Sequence, residues 1–571
     1  MNSKLYKIIF SKRLNKLIVV GENAKSATKA PGVKKASKAS SIGLMALGSL
    51  SVFTLSVGMA LADPAVDALP TGGQVAQGSV SIGQSVDNTL TINQTSDKAI
   101  VNWQSFDIGS GAQVIINQPS SSSMQLDRVI GDNLSQIFGS LSSNGQVILI
   151  NPNGVVFGQD GSVNASSFTT STLNMSDNDF MSGHYKYSAN GANGSVVNHG
   201  TIQTKFGGYV ALLGATLSND GKIVTPQGST YLAAAETVTI PVSSSGKIKL
   251  ELTPAAINAA VSNTANGVIV AEGGQVYLQA SAINDVAANS IASVTQSGQI
   301  DVSGAQAGNV TVLADNGQIK VDGAIVANST DANNKGGNIV IGRDADTKVL
   351  SAATDVSGAT LQAKAGFVET SGEVLKSDGV KVQAGTWLLD PYAVTISTAA
   401  TTALGGPQPF HNTGLTSISN VSGSAIQSAI SGGTDVWIWS TGGTITSSYT
   451  TATPLVLTNN SNTNAVLILD SGTTAGGVID VGGLTGVSGA GKTGTVSITA
   501  QANAAITANS TIKMNGSISF TGTTVSGAGD MDSGAGITIN STGAGTLSGV
   551  ISGAGGLTDA GTGIITLTND N

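Results

Sequence analysis

Cysteine is missing from the sequence altogether, which excludes disulfide staples, thiolate metal sites and thiol nucleophiles. A chain that threads a pore benefits from having no thiol to cross-link; equally, a long repetitive core needs no staple. Histidine is almost as scarce. It occurs only at positions 184, 199 and 411, far apart and without obvious Ser or Asp partners. Such spacing offers neither a metal cluster nor a nucleophilic triad. Charged residues make up 11% and aromatics 4%, a poor supply for an enzyme cleft. The apolar fraction of 40% is nevertheless enough for a core, so the chain is not disordered.

Charge is scarce but unevenly placed. Residues 1–40 carry ten Lys or Arg and one Glu, whereas the remainder carries 16 basic and 33 acidic residues. The acidic bulk argues against a nucleic-acid partner. The basic end precedes an uncharged run, Ser41 to Ala62, that closes on Ala60-Leu61-Ala62. This is the pattern of a secretory leader cut before Asp63, with the Sec translocon and signal peptidase as its partners. A retained membrane anchor is the competing reading, because the run is near spanning length. The small-x-small site, the Gly and Ser content and the lack of any later apolar span favour removal.

Glycine, by contrast, is abundant, with 74 in the chain. From Thr71 onward, short β-branched segments alternate with Gly, Asn-Gly or Asp-Gly turns, the signature of many short strands. Asn198-His199-Gly200-Thr201-Ile202 returns as Asn219-Asp220-Gly221-Lys222-Ile223. Gly298-Gln299-Ile300-Asp301-Val302 returns as Gly317-Gln318-Ile319-Lys320-Val321. Gly207 to Leu212 is echoed by Gly273 to Leu278. The first two echoes share a period of about 20 residues, which, without long helical stripes, predicts an all-β solenoid. The expected form is a right-handed parallel β-helix, one repeat to a turn. An antiparallel sandwich or barrel array is the alternative, and the lack of long alternating hairpins counts against it.

Within this pattern one segment stands out: Gly145 to Gly158, GQVILINPNGVVFG. Two apolar strands flank Asn151-Pro152-Asn153-Gly154. Pro152 fixes φ for the second position of a type I turn, Asn153 tolerates the bridge region, and Gly154 leaves with either sign of φ. The tetrapeptide alone is weak evidence. It is preceded, however, by Asn117-Gln118-Pro119, Leu126-Asp127-Arg128-Val129, Ile137-Phe138-Gly139 and Asn144-Gly145-Gln146-Val147. In that order they resemble the secretion domain of the filamentous haemagglutinin family, the exoproteins of two-partner secretion. The resemblance runs from Gly72 through Ser188 and more loosely to Leu389. Asp127 stands where the family often has Asn, and Asn117-Gln118-Pro119 only approximates a second family motif.

The resemblance implies a pectin-lyase-like β-helix with an N-terminal secretion-domain cap. It implies export through the periplasm by a cognate outer-membrane barrel transporter, to the cell surface or medium. Asn151, Pro152, Asn153 and Gly154 would form the secretion motif, with Asn117, Gln118, Pro119, Leu126 and Arg128 as a secondary one. No cofactor, metal or catalytic residue is implied; the expected role is adhesion, through a host-cell or matrix receptor that the sequence does not name. The segment from Met1 to Ser26 also resembles the extended signal-peptide region of very large Gram-negative exoproteins, with Tyr6, Phe10, Val19-Val20 and Glu22 near the expected positions. Leu17 and Phe10 replace tryptophans common there.

The expected organisation is therefore a cleaved leader over 1–62, a two-partner secretion domain over 63–320, a β-helical continuation over 321–392 and a Gly/Thr/Ser-rich repeat region over 393–571. Phe367 to Gly372 and Gly385 to Tyr392 resemble the end of the family's conserved N-terminal region. The last unit, from Ser548, looks like an adhesin passenger repeat broken off midway, as in a fragment of a longer exoprotein. Other readings are a contact-dependent toxin's N-terminal part, an autotransporter passenger, and a carbohydrate-active β-helix enzyme.

Remaining motifs weigh little. Gly486 to Thr493 fits the phosphate-loop pattern, but a β pattern comes after it where a helix is required. Arg343, Asp344 and Asp346 are the nearest approach to a catalytic cluster and read as a solvated turn. Asp530 and Asp532 faintly suggest calcium without the repeat that binds it. Asn93, Asn164, Asn309, Asn328 and Asn420 head glycosylation triplets; this composition supplies most of them by chance, and modification there stays open.

Overall fold

The computed structural model describes residues 6–11, 16–21, 62–240, 251–255, 258–283, 291–343, 349–398, 418–472 and 475–569. The chain divides into two units, Met1–Gly58 and Met59–Asn571. In the first, Tyr6–Ser11 and Lys16–Gly21 pair as an antiparallel hairpin. The apolar run up to Leu61, with Ala60 of the cleavage site, lies outside the described residues. No helix among the described residues is long and apolar enough to cross a membrane.

The second unit is a parallel β-helix. Its turns lay down strands in three columns. Gln113–Asn117, Ser140–Ser143 and Ser162–Ala165 stack in the first. Met124–Val129, Gln146–Ile150 and Ser167–Ser171 stack in the second. Ser135–Ile137, Val155–Phe157 and Ser195–Asn198 stack in the third. The starting edge is closed by reversal of direction: Gln74–Gln77 runs antiparallel to Lys98–Trp103, and Val80–Ile82 antiparallel to Thr89–Gln94. This cap covers an edge that would otherwise offer unpaired backbone groups.

Alternation within each strand sends every second side chain inward. Along the second column the inward positions are Val101, Asp127, Leu149, Thr170, Leu212, Leu232 and Leu278, each registered on the next. Each fully buried Leu or Val on such a column contributes about 1.5–3 kcal/mol of burial. The polar exceptions are organised. In the third column Asn198 Nδ2 donates to Asn219 Oδ1, Asn219 Nδ2 to Asn263 Oδ1, and Asn263 Nδ2 to Gln296 Oε1, each at 2.7 Å. All four residues are wholly buried. This ladder explains why Asn198 and Asn219 recur in the sequence: they are stacked rungs of one interior chain of amides.

Turn length is less regular than the sequence echoes suggest. Gln146 registers on Ser167 and Tyr209 on Ser229, but Ser229 registers on Gln275 and Thr386 on Asp435, so the latter two turns are more than twice as long as the former. The echo of Gly298-Gln299-Ile300 in Gly317-Gln318-Ile319 is not one turn. Gln299–Asp301 lies in the first column, against Val268–Val270 and Ala324–Val326. Gln318–Val321 lies in the third, against Ala292–Gln296 and Ala353–Asp355. Both are strands entered from a Gly turn, and that local requirement is what the two sequences share.

The longer turns carry inserts that the period does not announce. Helix Asp177–Ser182, capped by the Ser176 hydroxyl on Asp179 N, leads into the strand Tyr185–Ser188. That strand joins Thr237–Ile240 and Glu251–Thr253 in a small antiparallel sheet. A second helix, Gly423–Ser431, packs Ala425, Ile426, Ala429 and Ile430 into the core. The first insert covers the outer face of the second column and creates a second apolar cluster, which includes Ile100, Leu126, Ile148, Phe180, Tyr187, Tyr231 and Val238. Ser167–Ser171 and Ser229–Ala234 are therefore buried on both faces.

Candidate functional site

The Asn-Pro-Asn-Gly corner joins the second column to the third, and its two asparagines have opposite fates. Asn151 is wholly buried. Its Nδ2 donates to Asn133 O and Ser135 Oγ, both at 3.0 Å, and its Oδ1 accepts from Asn153 N at 3.0 Å. Gly154 N donates to Asn151 O at 3.0 Å, closing the expected turn. Gly154 has φ +125°, a conformation that L side chains rarely adopt. Gly194 on the next turn passes so close that a Cβ there would fall 2.6 Å from Pro152 O. Asn153, by contrast, is exposed and spends only its Nδ2, on Gly131 O at 2.8 Å. The corner is thus a rigid fitting built on Asn151 and Gly154 that presents Pro152 and Asn153 outward.

Beside it opens a cavity of about 550 Å³, lined by Asp107, Asp132, Gln136, Pro152, Asn153 and Asn193 among others. Asp107 Oδ1 accepts from Gln136 N at 2.9 Å, and burial pushes the Asp107 carboxyl above the usual carboxylate range. Ala62, the last residue before the expected cleavage, also lines this cavity, and its carbonyl accepts from Gln136 Nε2 at 3.1 Å. Asp63 is exposed.

The secondary motif lies on the same turns but does different work. Asn117 is exposed and donates to Asn93 Oδ1 at 2.8 Å across the register. Gln118 is buried: its Nε2 donates to Gln94 Oε1, Ser123 O and Gln146 O, and its Oε1 accepts from Ser143 Oγ at 2.6 Å. Pro119 is exposed at the turn after it. Leu126 points outward into the second cluster. Arg128 clamps the insert, with Nη1 2.7 Å from Asp177 Oδ1, Nη2 2.7 Å from Met175 O and Nε 3.1 Å from Asn174 Oδ1. At the other end of the helix Lys98 Nζ donates to Phe180 O and Met181 O, where a cation suits the helix terminus. Neither clamp is readable in the sequence, since Arg128 and Asp177 are 49 residues apart.

Asp127 has the least expected position in the motif. It points inward, wholly buried, with Oδ1 accepting from Trp103 Nε1 and Gln125 Nε2, both at 2.9 Å, and Oδ2 unpartnered. Burial outweighs these two hydrogen bonds and pushes its carboxyl up to about 6.

The other sequence candidates resolve differently. Arg343 is not solvated: its Nη1 lies 3.2 Å from Asp390 Oδ2 and 3.4 Å from Glu369 Oε1, and its guanidinium sits 5.1 Å from the Trp439 ring centre. Burial first, then the Glu369 charge, raise the Asp390 carboxyl to about 7 against the pull of Arg343. Asp344, Asp346 and His411 lie outside the described residues. After the phosphate-loop match comes a turn and then the strand Val496–Gln501, so no helix end faces a phosphate there. Asp532 pairs with Lys513 at 2.9 Å, while Asp530 Oδ1 accepts from Val550 N.

Comparison with known proteins places two of its segments. Residues 66–326 match the TPS secretion domain and residues 1–51 match the extended signal peptide of the type V secretion system. The chain thus carries a two-partner secretion domain behind an extended signal peptide, the makeup of a two-partner secreted exoprotein. Its secretion domain implies a cognate outer-membrane transporter and signal-peptide processing, hence export through the periplasm to the surface or beyond. The exoprotein is 33% identical over 224 residues to a heme/hemopexin-binding protein of Haemophilus influenzae, covering 38% of this chain and 24% of that one. A second heme/hemopexin-binding protein of that species is 34% identical over 152 residues, 27% of this chain and 16% of its own. The exoprotein thus spans about a quarter or less of these relatives' length. Among solved structures, the HMW1 secretion domain from Haemophilus influenzae aligns at TM-score 0.36 and 19% identity, over 88% of this chain and 99% of its own. The filamentous hemagglutinin secretion domain aligns at 0.26 and 16%, over 56% and 96%.

Proposed function

We propose that the exoprotein is a non-enzymatic adhesin whose secretion domain is read by its transporter at the Asn151–Gly154 corner. The observation that carries the reading is the division of that corner. Asn151 and Gly154 serve the fold, while Asn153 is exposed and Pro152 half-exposed at a fixed position. A rigid, outward-facing polar element needs no induced ordering, so little conformational entropy opposes its capture. Beyond the secretion domain, the stacked turns form a shaft whose outward strand positions are mostly polar, a surface suited to display rather than catalysis.

A secretion assay with and without the cognate transporter tests the first half, comparing wild type with Asn151→Ala and Asn153→Ala. Both substitutions are expected to leave the chain in the periplasm. Transporter-independent appearance of wild type in the medium would overturn the reading. Adherence of producing cells to host cells and matrix, with and without the transporter, tests the second half. Equal adherence in both refutes the adhesin. Capture of a host haem carrier is the second reading, favoured by what the relatives' names say they bind; pull-down of haemopexin by the secreted chain distinguishes it.

A further inference from the structure

The cavity beside the corner gathers several polar side chains that have no partner among the described residues. Asp132 has no ion-pair or hydrogen-bond partner among the described residues, and the side chains of Asn133 and Asn193 have none either. Asp107 spends one oxygen on Gln136 N, and Asn153 keeps its Oδ1 free while Nδ2 is held. Among the described residues no Lys, Arg or His lines the cavity, whereas Leu134 and Pro152 give it an apolar wall. Two carboxylates, spare amide oxygens around them and an aliphatic wall make a complement to a long basic side chain, whose stem packs on carbon while its head is hydrogen-bonded. The raised Asp107 carboxyl fits a half-buried negative group with no cation beside it among the described residues.

We propose that this cavity is the docking pocket for a lysine or arginine side chain presented by the periplasmic portion of the outer-membrane transporter. The assignment rests on the two-partner reading above and adds the chemistry of the contact. It divides the labour of the motif: Asn151 and Gly154 set the corner, Pro152 and Asn153 form one wall, and Asp107 and Asp132 supply the charge. Cleavage after Ala62 takes that residue's carbonyl away from Gln136 Nε2, so the processed chain presents the cavity with one more free donor and a wider mouth.

The test is binding of the full processed chain to purified, detergent-solubilised transporter, measured by interferometry at about 50 and about 300 mM salt, either side of the range where screening becomes strong. Asp132→Asn removes charge from a side chain with no internal bond, and Asp107→Asn keeps the acceptor that Gln136 N needs, so both variants are expected to fold. Together they should weaken binding about tenfold or more, as loss of a close interfacial charge pair does, and flatten its salt dependence. Asp132→Lys should weaken it further. Wild-type affinity and salt dependence in the double variant, while Asn151→Ala still loses binding, would overturn the pocket and leave the corner's role intact. A wild-type chain that does not bind the transporter at all overturns the two-partner reading and the pocket with it.

Discussion

The interior amide ladder makes a quantitative prediction. Asn219 is its second rung, accepting from Asn198 Nδ2 and donating to Asn263 Oδ1, both at 2.7 Å. Asn219→Ala deletes one donor and one acceptor and strands a buried partner on each side. An unsatisfied buried polar group costs about 1–3 kcal/mol, so the substitution should cost roughly 2–5 kcal/mol in that part of the solenoid. Asn117→Ala removes a similar amide bond, to Asn93, on the exposed face. Water replaces what is lost there, and the cost should stay within about 0.5 kcal/mol. Because a solenoid turn leans mainly on its neighbours, the damage should be local. Hydrogen exchange should accelerate in Ser195–Asn198 and Ala259–Asn263 and remain unchanged in the repeats beyond Asp435. Asn219→Asp should be worse than alanine at neutral pH, since a carboxylate oxygen then faces Asn263 Oδ1. If Asn219→Ala and Asn117→Ala exchange alike, the ladder contributes no net stability and the argument fails.

Three further outcomes concern the motif and the corner. Asp127 titrates near 6 when folded against about 3.9 when unfolded. The folded state holds the proton more tightly, so the stability contributed by the protonated form is complete below about 4 and is lost as pH rises through about 6. Asp127→Asn should therefore flatten that slope in urea titrations and leave the protein about 1–3 kcal/mol more stable at pH 7.5, one pKa unit being about 1.4 kcal/mol; an unchanged slope would refute it. Arg128→Ala should cost about 2–4 kcal/mol through its charged hydrogen bonds, visible as faster exchange over residues 174–187. Arg128→Lys should not restore protection, because one ammonium cannot span Asn174, Met175 and Asp177. Gly154→Ala should cost about 1–3 kcal/mol for its backbone conformation, read as a lower urea midpoint, whereas Pro152→Ala, whose ring faces solvent in part, should lose less than about 1 kcal/mol.

Much of the architecture is legible because glycine and β-branched residues punctuate a solenoid so plainly. The corner is legible too, since Pro and Gly announce turns through their own backbone limits. Turn length is not. The echo at Gly298 and Gly317 marks two strands with the same local entry and different neighbours, and nothing local records which neighbour a strand will have. Helix Asp177–Ser182 is too short to show a helical period, and its clamp by Arg128 and Lys98 joins residues from three distant segments. Asp127 stands out as a departure from the family, but a lone acid in a strand gives no sign of facing inward. Asn263 and Gln296 are equally mute, because long turns place them 44 and 33 residues from the preceding rung.

The insert on the second column has a consequence for the order of assembly. Ile100, Leu126 and Ile148 present apolar side chains outward, and their cover arrives late. Phe180 and Tyr187 come from a helix and strand further along the chain, and Tyr185–Ser188 finds its partner only in Thr237–Ile240, which in turn pairs with Glu251–Thr253. A chain released only as far as residue 171 would have its inner rungs in place while the side chains that cover this flank were still to come. The flank is complete only once Thr237–Ile240 and Glu251–Thr253 have joined Tyr185–Ser188, so its closure is the latest of these packing steps in chain order.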